Sequence, residues 1–98
     1  MKDRILIVDD EAQFLRSAQL ALRMAGHVDV DTCAHGTEAL EILRRGKHGI
    51  AFLDLQLPGK TGLEILRAVS QEHPEISVCM VTAMSDIPTA VACMRQTR

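Results

Sequence analysis

Ile5-Leu6-Ile7-Val8-Asp9-Asp10-Glu11 is an apolar run of strand length that stops on three consecutive acids. A run with no polar residue among its apolar side chains describes a strand buried on both faces, the setting of a central strand in a parallel sheet. Further along, Ile50-Ala51-Phe52-Leu53 has the same character and ends on Asp54. If the two strands lie parallel, their acids arrive at one edge of the sheet, the carboxyl edge where open α/β sheets bind ligands. Carboxylates crowded there repel one another and need a hard cation, so the pattern reads as a Mg²⁺ site beside a chemically usable Asp.

The 98 residues carry a net charge of −2 and are 47% hydrophobic, which suits one soluble domain over residues 1–98. That length is at the small end for a single core. No apolar stretch approaches the roughly 18 residues of a membrane span. Met1-Lys2-Asp3-Arg4 leads into a run too short for a signal peptide, so the expected setting is cytoplasmic, away from any membrane. Cys33, Cys79 and Cys93 are odd in number and sit among apolar neighbours, as reduced core thiols do. A net charge this close to zero argues against direct nucleic-acid binding by electrostatics.

Outward from the two apolar runs, strand and helix patterns alternate. Arg4 to Val8 reads as the first strand, and a helix follows from about Glu11 to Ala25 with Phe14, Ala18, Leu22 and Ala25 on one stripe and Gly26 as its stop. Val28-Asp29-Val30-Asp31-Thr32 alternates apolar with polar, as an edge strand does. Thr37 to Arg45 gives a short helix with Ala39, Leu40, Ile42 and Leu43 inward, closed by Gly46. Ile50 to Asp54 is an interior strand, and Leu57-Pro58-Gly59-Lys60-Thr61-Gly62 carries turn signals. Leu63, Leu66 and Val69 stripe the next helix until His73-Pro74 breaks it. Ile76 to Val81 is the fourth strand, ending on Thr82. Asp86 and Pro88 then open a last helix through Val91 and Met94. Four βα units in a row imply a doubly wound parallel α/β sheet.

Several residues have plain structural readings. His27, His35, His48 and His73 lack ligand spacing and read as surface residues, and Met24, Met80 and Met94 as core filler. Arg44-Arg45 with Lys47 complements a helix C-terminus. Asp9, Asp10 and Glu11 open a helix and taken singly could be capping residues; Asp54 alone could be an Asx-turn residue and Thr82 a strand residue. None of these readings predicts the coincidence of all of them at three successive strand ends.

Val8-Asp9-Asp10-Glu11, then Leu53-Asp54 with Leu57-Pro58-Gly59 and Gly62, then Val81-Thr82-Ala83, together resemble the receiver domain of two-component response regulators. The resemblance covers essentially the whole chain. Asp86-Ile87-Pro88-Thr89-Ala90-Val91 and Met94-Arg95 further resemble the nitrogen-regulator-like receivers that precede transcription-activating domains. The resemblance implies a flavodoxin-like sheet of order 2-1-3-4. It also implies a signalling domain rather than an enzyme, which takes a phosphoryl group from a sensor histidine kinase on Asp54. Asp10 would ligate Mg²⁺, as would Asp54, Asp9 directly or through water, and Gln56 through its backbone carbonyl; Thr82 would hydrogen-bond the phosphoryl group and move. The resulting switch would control an effector domain or protein, with transcription as its output.

The chain departs from the family in one respect. A receiver has a fifth strand ending on a Lys, with an aromatic residue within it, and then a fifth helix; Gln96-Thr97-Arg98 stands where that unit would begin. Lys60, the Lys near Asp54 in sequence, lies in a turn and is not given the missing role. The fourth strand would then present an open apolar edge, so the expectation is either a homodimer through the fourth strand and helix or a fragment of a longer polypeptide. The rival functional class is a degenerate receiver that serves as an interaction module without phosphorylation. A flavodoxin-like cofactor binder ranks behind both, because Asp9-Asp10-Glu11 would repel a phosphate.

Overall fold

Apolar runs and amphipathic stretches alternate in the computed structural model as β1 (Ile5–Val8), α1 (Ala12–Met24), β2 (Val30–Cys33), α2 (Gly36–Arg44), β3 (Ile50–Asp54), α3 (Gly62–Glu72) and β4 (Ser77–Val81). The structure describes residues 4–27, 29–54, 57 and 59–81. Gln56, Thr82, the Asp86–Pro88 cap, Cys93 and the last helix through Val91 and Met94 lie outside the described residues.

The strands form one sheet in the order β2-β1-β3-β4, every neighbouring pair parallel. Period-two alternation divides each strand between two cores. Ile5, Ile7, Val30 and Phe52 meet Phe14, Leu15, Ala18 and Leu22 of α1 on one face, with Cys79 packed at the margin. Leu6, Val8, Cys33, Ala51 and Leu53 meet α2 and α3 on the other, through Ala39, Leu40, Leu43, Ile65 and Val69. β1 and β3 are therefore buried on both sides, which is why they read as unbroken apolar runs. Gly26 and Gly46 follow α1 and α2 with φ of 101° and 74°, left-handed values that end a helix cleanly in glycine. Among the described residues, no helix is long and apolar enough to cross a membrane.

Three expectations from helical phase fail. Met24 is 80% exposed, not core filler, and Ala25 is exposed beyond the end of α1. Met24 stands about 200° around the helix from Leu22, the last inward residue. In α3 the inward face is Gly62, Ile65 and Val69, while Leu63 is 54% exposed and Leu66 half-buried. A stripe drawn through Leu63, Leu66 and Val69 shares one residue with the true stripe and is otherwise rotated off it. Met80 is partly buried against the core as expected.

His48 is the fourth correction, because its side chain is 4% exposed rather than on the surface. It lies in the α2–β3 connection, which backbone bonds pull across the amino edge of the sheet: Gly49 N donates to Arg4 O at 3.0 Å and Ser77 N to Gly49 O at 2.9 Å. The ring consequently turns under the strands, and Nε2 donates to Asp31 Oδ2 at 2.7 Å. Arg4 donates to the same oxygen at 2.9 Å, tying β1, β2 and the entry to β3 together. His48 Nδ1 is buried without a partner among the described residues. Burial alone would raise the Asp31 carboxyl, but the hydrogen bonds and charges of Arg4 and His48 outweigh it and hold the group below its ordinary value.

Two expectations follow from this packing. Ile65→Ala should lower stability by about 2–5 kcal/mol in urea unfolding, whereas Leu63→Ala should change it by less than about 0.5 kcal/mol. Because the folded pKa of Asp31 is depressed, its contribution is present above the unfolded carboxylate value of 3.8 and is lost as pH falls through the lower folded one. The stability gap between the wild-type chain and Asp31→Asn should therefore narrow below about pH 4, read as converging urea midpoints.

Candidate metal and phosphoacceptor site

Strand register assembles the acidic residues. Val8 of β1 is paired with Leu53 of β3, so the residues that follow, Asp9 and Asp54, leave the sheet side by side at its carboxyl edge. On the other flank Val8 is paired with Cys33, and the ladder continues one step further where Asp9 N donates to Cys33 O at 3.0 Å. Asp10 comes next in the turn into α1. Carboxylate oxygens of Asp9, Asp10 and Asp54 all lie within 4.8 Å of one another. Three of the residues named from sequence are thereby brought together, far inside the roughly 10 Å at which a shared cation would be ruled out. Gln56 and Thr82 lie outside the described residues.

The capping alternative is realised in part. Asp9 Oδ1 accepts from Glu11 N at 2.9 Å, closing an Asx turn before α1. Glu11 holds the N-cap position of α1 without a side-chain cap bond. That turn occupies one oxygen of one carboxylate and leaves the clustering of the trio unexplained.

Asp9 and Asp54 are half-buried and Asp10 is exposed. Burial raises the Asp9 carboxyl above its ordinary value, the hydrogen bond from Glu11 partly opposes this, and the charges of Asp54, Asp10 and Glu11 raise it further. Net repulsion therefore persists within the cluster. All-oxygen, anionic donors fit a hard divalent ion such as Mg²⁺, which takes few protein ligands and keeps several waters.

The segment after Asp54 is fastened by small residues whose role the sequence reading missed. A side chain on Gly62 would strike the Asp54 carbonyl oxygen and stand 2.6 Å from Met80 Cε, so only glycine lets α3 begin against the acid-bearing strand. Thr61 caps that helix in a reciprocal box with Glu64: Glu64 N donates to Thr61 Oγ1 at 3.3 Å and Thr61 N to Glu64 Oε1 at 3.4 Å. The Thr-x-x-Glu spacing at 61–64 was the available signal. At the C-terminal ends of α2 and α3, away from the acidic edge, Arg44 donates to Glu72 in two bonds of 2.7 and 2.8 Å, so it has an ionic partner besides the helix end.

Comparison with known proteins agrees with this architecture. Residues 5–97 match the family described as the response regulator receiver domain. The chain is 38% identical over 92% of its length to the uncharacterized transcriptional regulatory protein YkoG of Bacillus subtilis, and spans 39% of that protein. It is 33% identical over 94% of its length to the DNA-binding transcriptional regulator NtrC of Escherichia coli, and spans 19% of it. Among solved structures it resembles the response regulator protein TrrA of Thermotoga maritima in complex with Mg(2+)-BeF, with 30% identity and a TM-score of 0.71 over 84% of this chain and 68% of that one.

The raised Asp9 carboxyl has a measurable consequence. Its folded state holds the proton more tightly than the unfolded chain, so stability falls as pH rises from the ordinary value of 3.8 through the raised one and stays lower at neutral pH. Asp9→Asn keeps the acceptor for Glu11 N and removes the charge. It should raise the urea midpoint of the ion-free chain at neutral pH, with the gain vanishing below about pH 3.

Proposed function

This chain belongs to the response regulator receiver domain family, and from that premise we propose that it is a phosphoacceptor switch charged on Asp54 by a sensor histidine kinase. The meeting of Asp9, Asp10 and Asp54 within 4.8 Å carries the reading. An Asp54 carboxylate oxygen attacks the phosphorus of a phosphohistidine in line with the departing nitrogen. The new O–P bond forms as the P–N bond breaks, and its electron pair leaves with the imidazole, which takes up a proton from water. An acyl phosphate remains on Asp54.

Such a transfer asks the protein for placement and charge neutralisation more than for covalent assistance. When bound, Mg²⁺ supplies that neutralisation between the carboxylates and the incoming oxygens. Asp10, Asp9 and Asp54 would hold it through their carboxylates and Gln56 through its backbone carbonyl. The Mg(2+)-BeF complex of TrrA supports this pairing of ion and site. Thr82, next in sequence after the end of β4, would donate its hydroxyl to a phosphoryl oxygen and draw its loop inward. A new charge then biases a two-state element.

The downstream partner in this proposal is an effector domain or protein that controls transcription, in keeping with the regulators the chain resembles. Residues 1–98 act as one domain in a cytoplasmic setting, and phosphorylation is something the domain undergoes rather than a reaction it performs on a separate substrate. A second copy is a further proposed partner, pairing through β4, the last described strand in the sheet order, and the residues that follow it in sequence.

Incubation with a small-molecule phosphodonor and Mg²⁺ should label the chain at one site, with label lost in Asp54→Asn and on chelation of the metal. Absence of label in the intact chain would leave the family's interaction-module alternative standing and the switch without support.

A further inference from the structure

The parallel ladder between β1 and β2 runs one bond past its last pair. Val8 is matched with Cys33, and beyond them Asp9 N donates to Cys33 O at 3.0 Å. Asp9 is thus held on two sides: through its own backbone by that carbonyl, and through its side chain by Glu11 N, which donates to Asp9 Oδ1 at 2.9 Å. A bond at the very end of a ladder is the first to open, because no further pair lies beyond it to hold the strands together. Whatever keeps Cys33 in place therefore bears on where an acid of the candidate site stands.

Cys33 is the last residue of β2 and is buried in the core with Val8, Leu40 and Leu53. Directly after it the chain turns away from the sheet, for α2 begins at Gly36. The thiol spans that turn: Sγ donates to His35 O at 3.2 Å, and the same carbonyl accepts from Ala39 N at 2.9 Å in the first turn of α2. Burial pushes the thiol above its ordinary pKa, so it keeps its proton and remains a donor at neutral pH. Local bonds from a side chain to nearby backbone are the usual work of Ser, Thr, Asn and Asp, and they fix the course of the chain where a regular element ends. Here a cysteine does that work at the point where β2 hands its last carbonyl to Asp9.

We propose that Cys33 is a positioning residue for the acidic site: its thiol, by closing the turn between β2 and α2 onto the His35 carbonyl, keeps the Cys33 carbonyl aimed at Asp9 N and so holds the Asp9 backbone beside Asp10 and Asp54. The residue acts through Asp9 and is not itself a ligand. Groups that hold a metal ligand from behind govern affinity by fixing the ligand's direction. The consequence for Mg²⁺ rests on the proposed function above, whereas the tether between Cys33 and Asp9 does not.

The test compares the full chain with Cys33→Ala and Cys33→Ser, which remove the same sulfur from the core and differ in the hydroxyl donor that Ser keeps. Amide exchange is read by NMR at Asp9 and at Ile5, whose N–H donates to Asp29 O at 2.9 Å at the other end of the same ladder. Mg²⁺ affinity is read by calorimetry and global stability by urea unfolding. Cys33→Ala should speed exchange at Asp9 about fivefold relative to Ile5, the effect of losing one local hydrogen bond. It should weaken Mg²⁺ binding about threefold, less than the roughly tenfold that loss of a ligand's own partner costs, because the Cys33 carbonyl stays. In Cys33→Ser both should stay near their wild-type values, while the urea midpoint falls in both variants with the lost core packing. Equal Asp9 exchange in the two variants, or equal Mg²⁺ affinity despite unequal exchange, would overturn the proposal. If the wild-type chain takes up no Mg²⁺, the functional reading fails, and the exchange comparison still decides the tether.

Discussion

Like charges gather only where something stronger holds them, and here the holding force is the pairing of β1 with β3. The register Val8 to Leu53 is fixed by side chains on both faces of each strand. A slip by one residue would send Ile7 and Phe52 to the α2–α3 side and Leu6 and Leu53 to the α1 side, exchanging two differently shaped cores. Burial of those runs outweighs the repulsion among Asp9, Asp10 and Asp54, which sit one step beyond the last buried pair. The chemistry of the edge is thus a by-product of a core that admits no alternative register.

The same logic explains what could be read from the sequence. Apolar runs without alternation announced β1 and β3, and the acids behind them followed with no further information. Residues whose surroundings come from distant parts of the chain were opaque. His48 has no period to betray its burial, since it lies in a connection whose path is set by bonds from Gly49 to Arg4 and from Ser77 to Gly49. The phase of α3 was misread because Val69 belongs to both candidate stripes, and it takes the packing of Ile65 in the core and the close approach of Gly62 to Asp54 to select the true one. The close approach of the His35 ring to Gly59 was equally invisible, for it joins two turns that meet only after β2 and β3 have taken their places on either side of β1.

Small residues at close approaches have a second effect. Gly36, Gly59 and Gly62 each stand where a side chain would strike another part of the rim. Removing that bulk lets backbone meet backbone at Gly36 and Gly62, and lets the His35 ring meet backbone at Gly59. Order that is built in before any ligand arrives lowers the cost of binding one.

The two ends of the sheet treat the same type of side chain in opposite ways. At the amino edge Asp31 has Arg4 and His48 on one oxygen, and its carboxyl is held below the ordinary range. At the carboxyl edge Asp9 is held above it, by burial first and by neighbouring carboxylates after that. Burial pushes both carboxyls upward, and the partners of Asp31 reverse that push where the neighbours of Asp9 add to it. A fold stabilised only for its own sake would neutralise both ends, and the described cations of this chain, Lys60 included, leave the carboxyl edge anionic enough to keep Asp9 shifted upward. An edge left in that condition stores unfavourable energy that a divalent cation relieves on binding. Any cation bound there would be linked to folding, because it would act on the carboxyl that the fold already holds above its ordinary value.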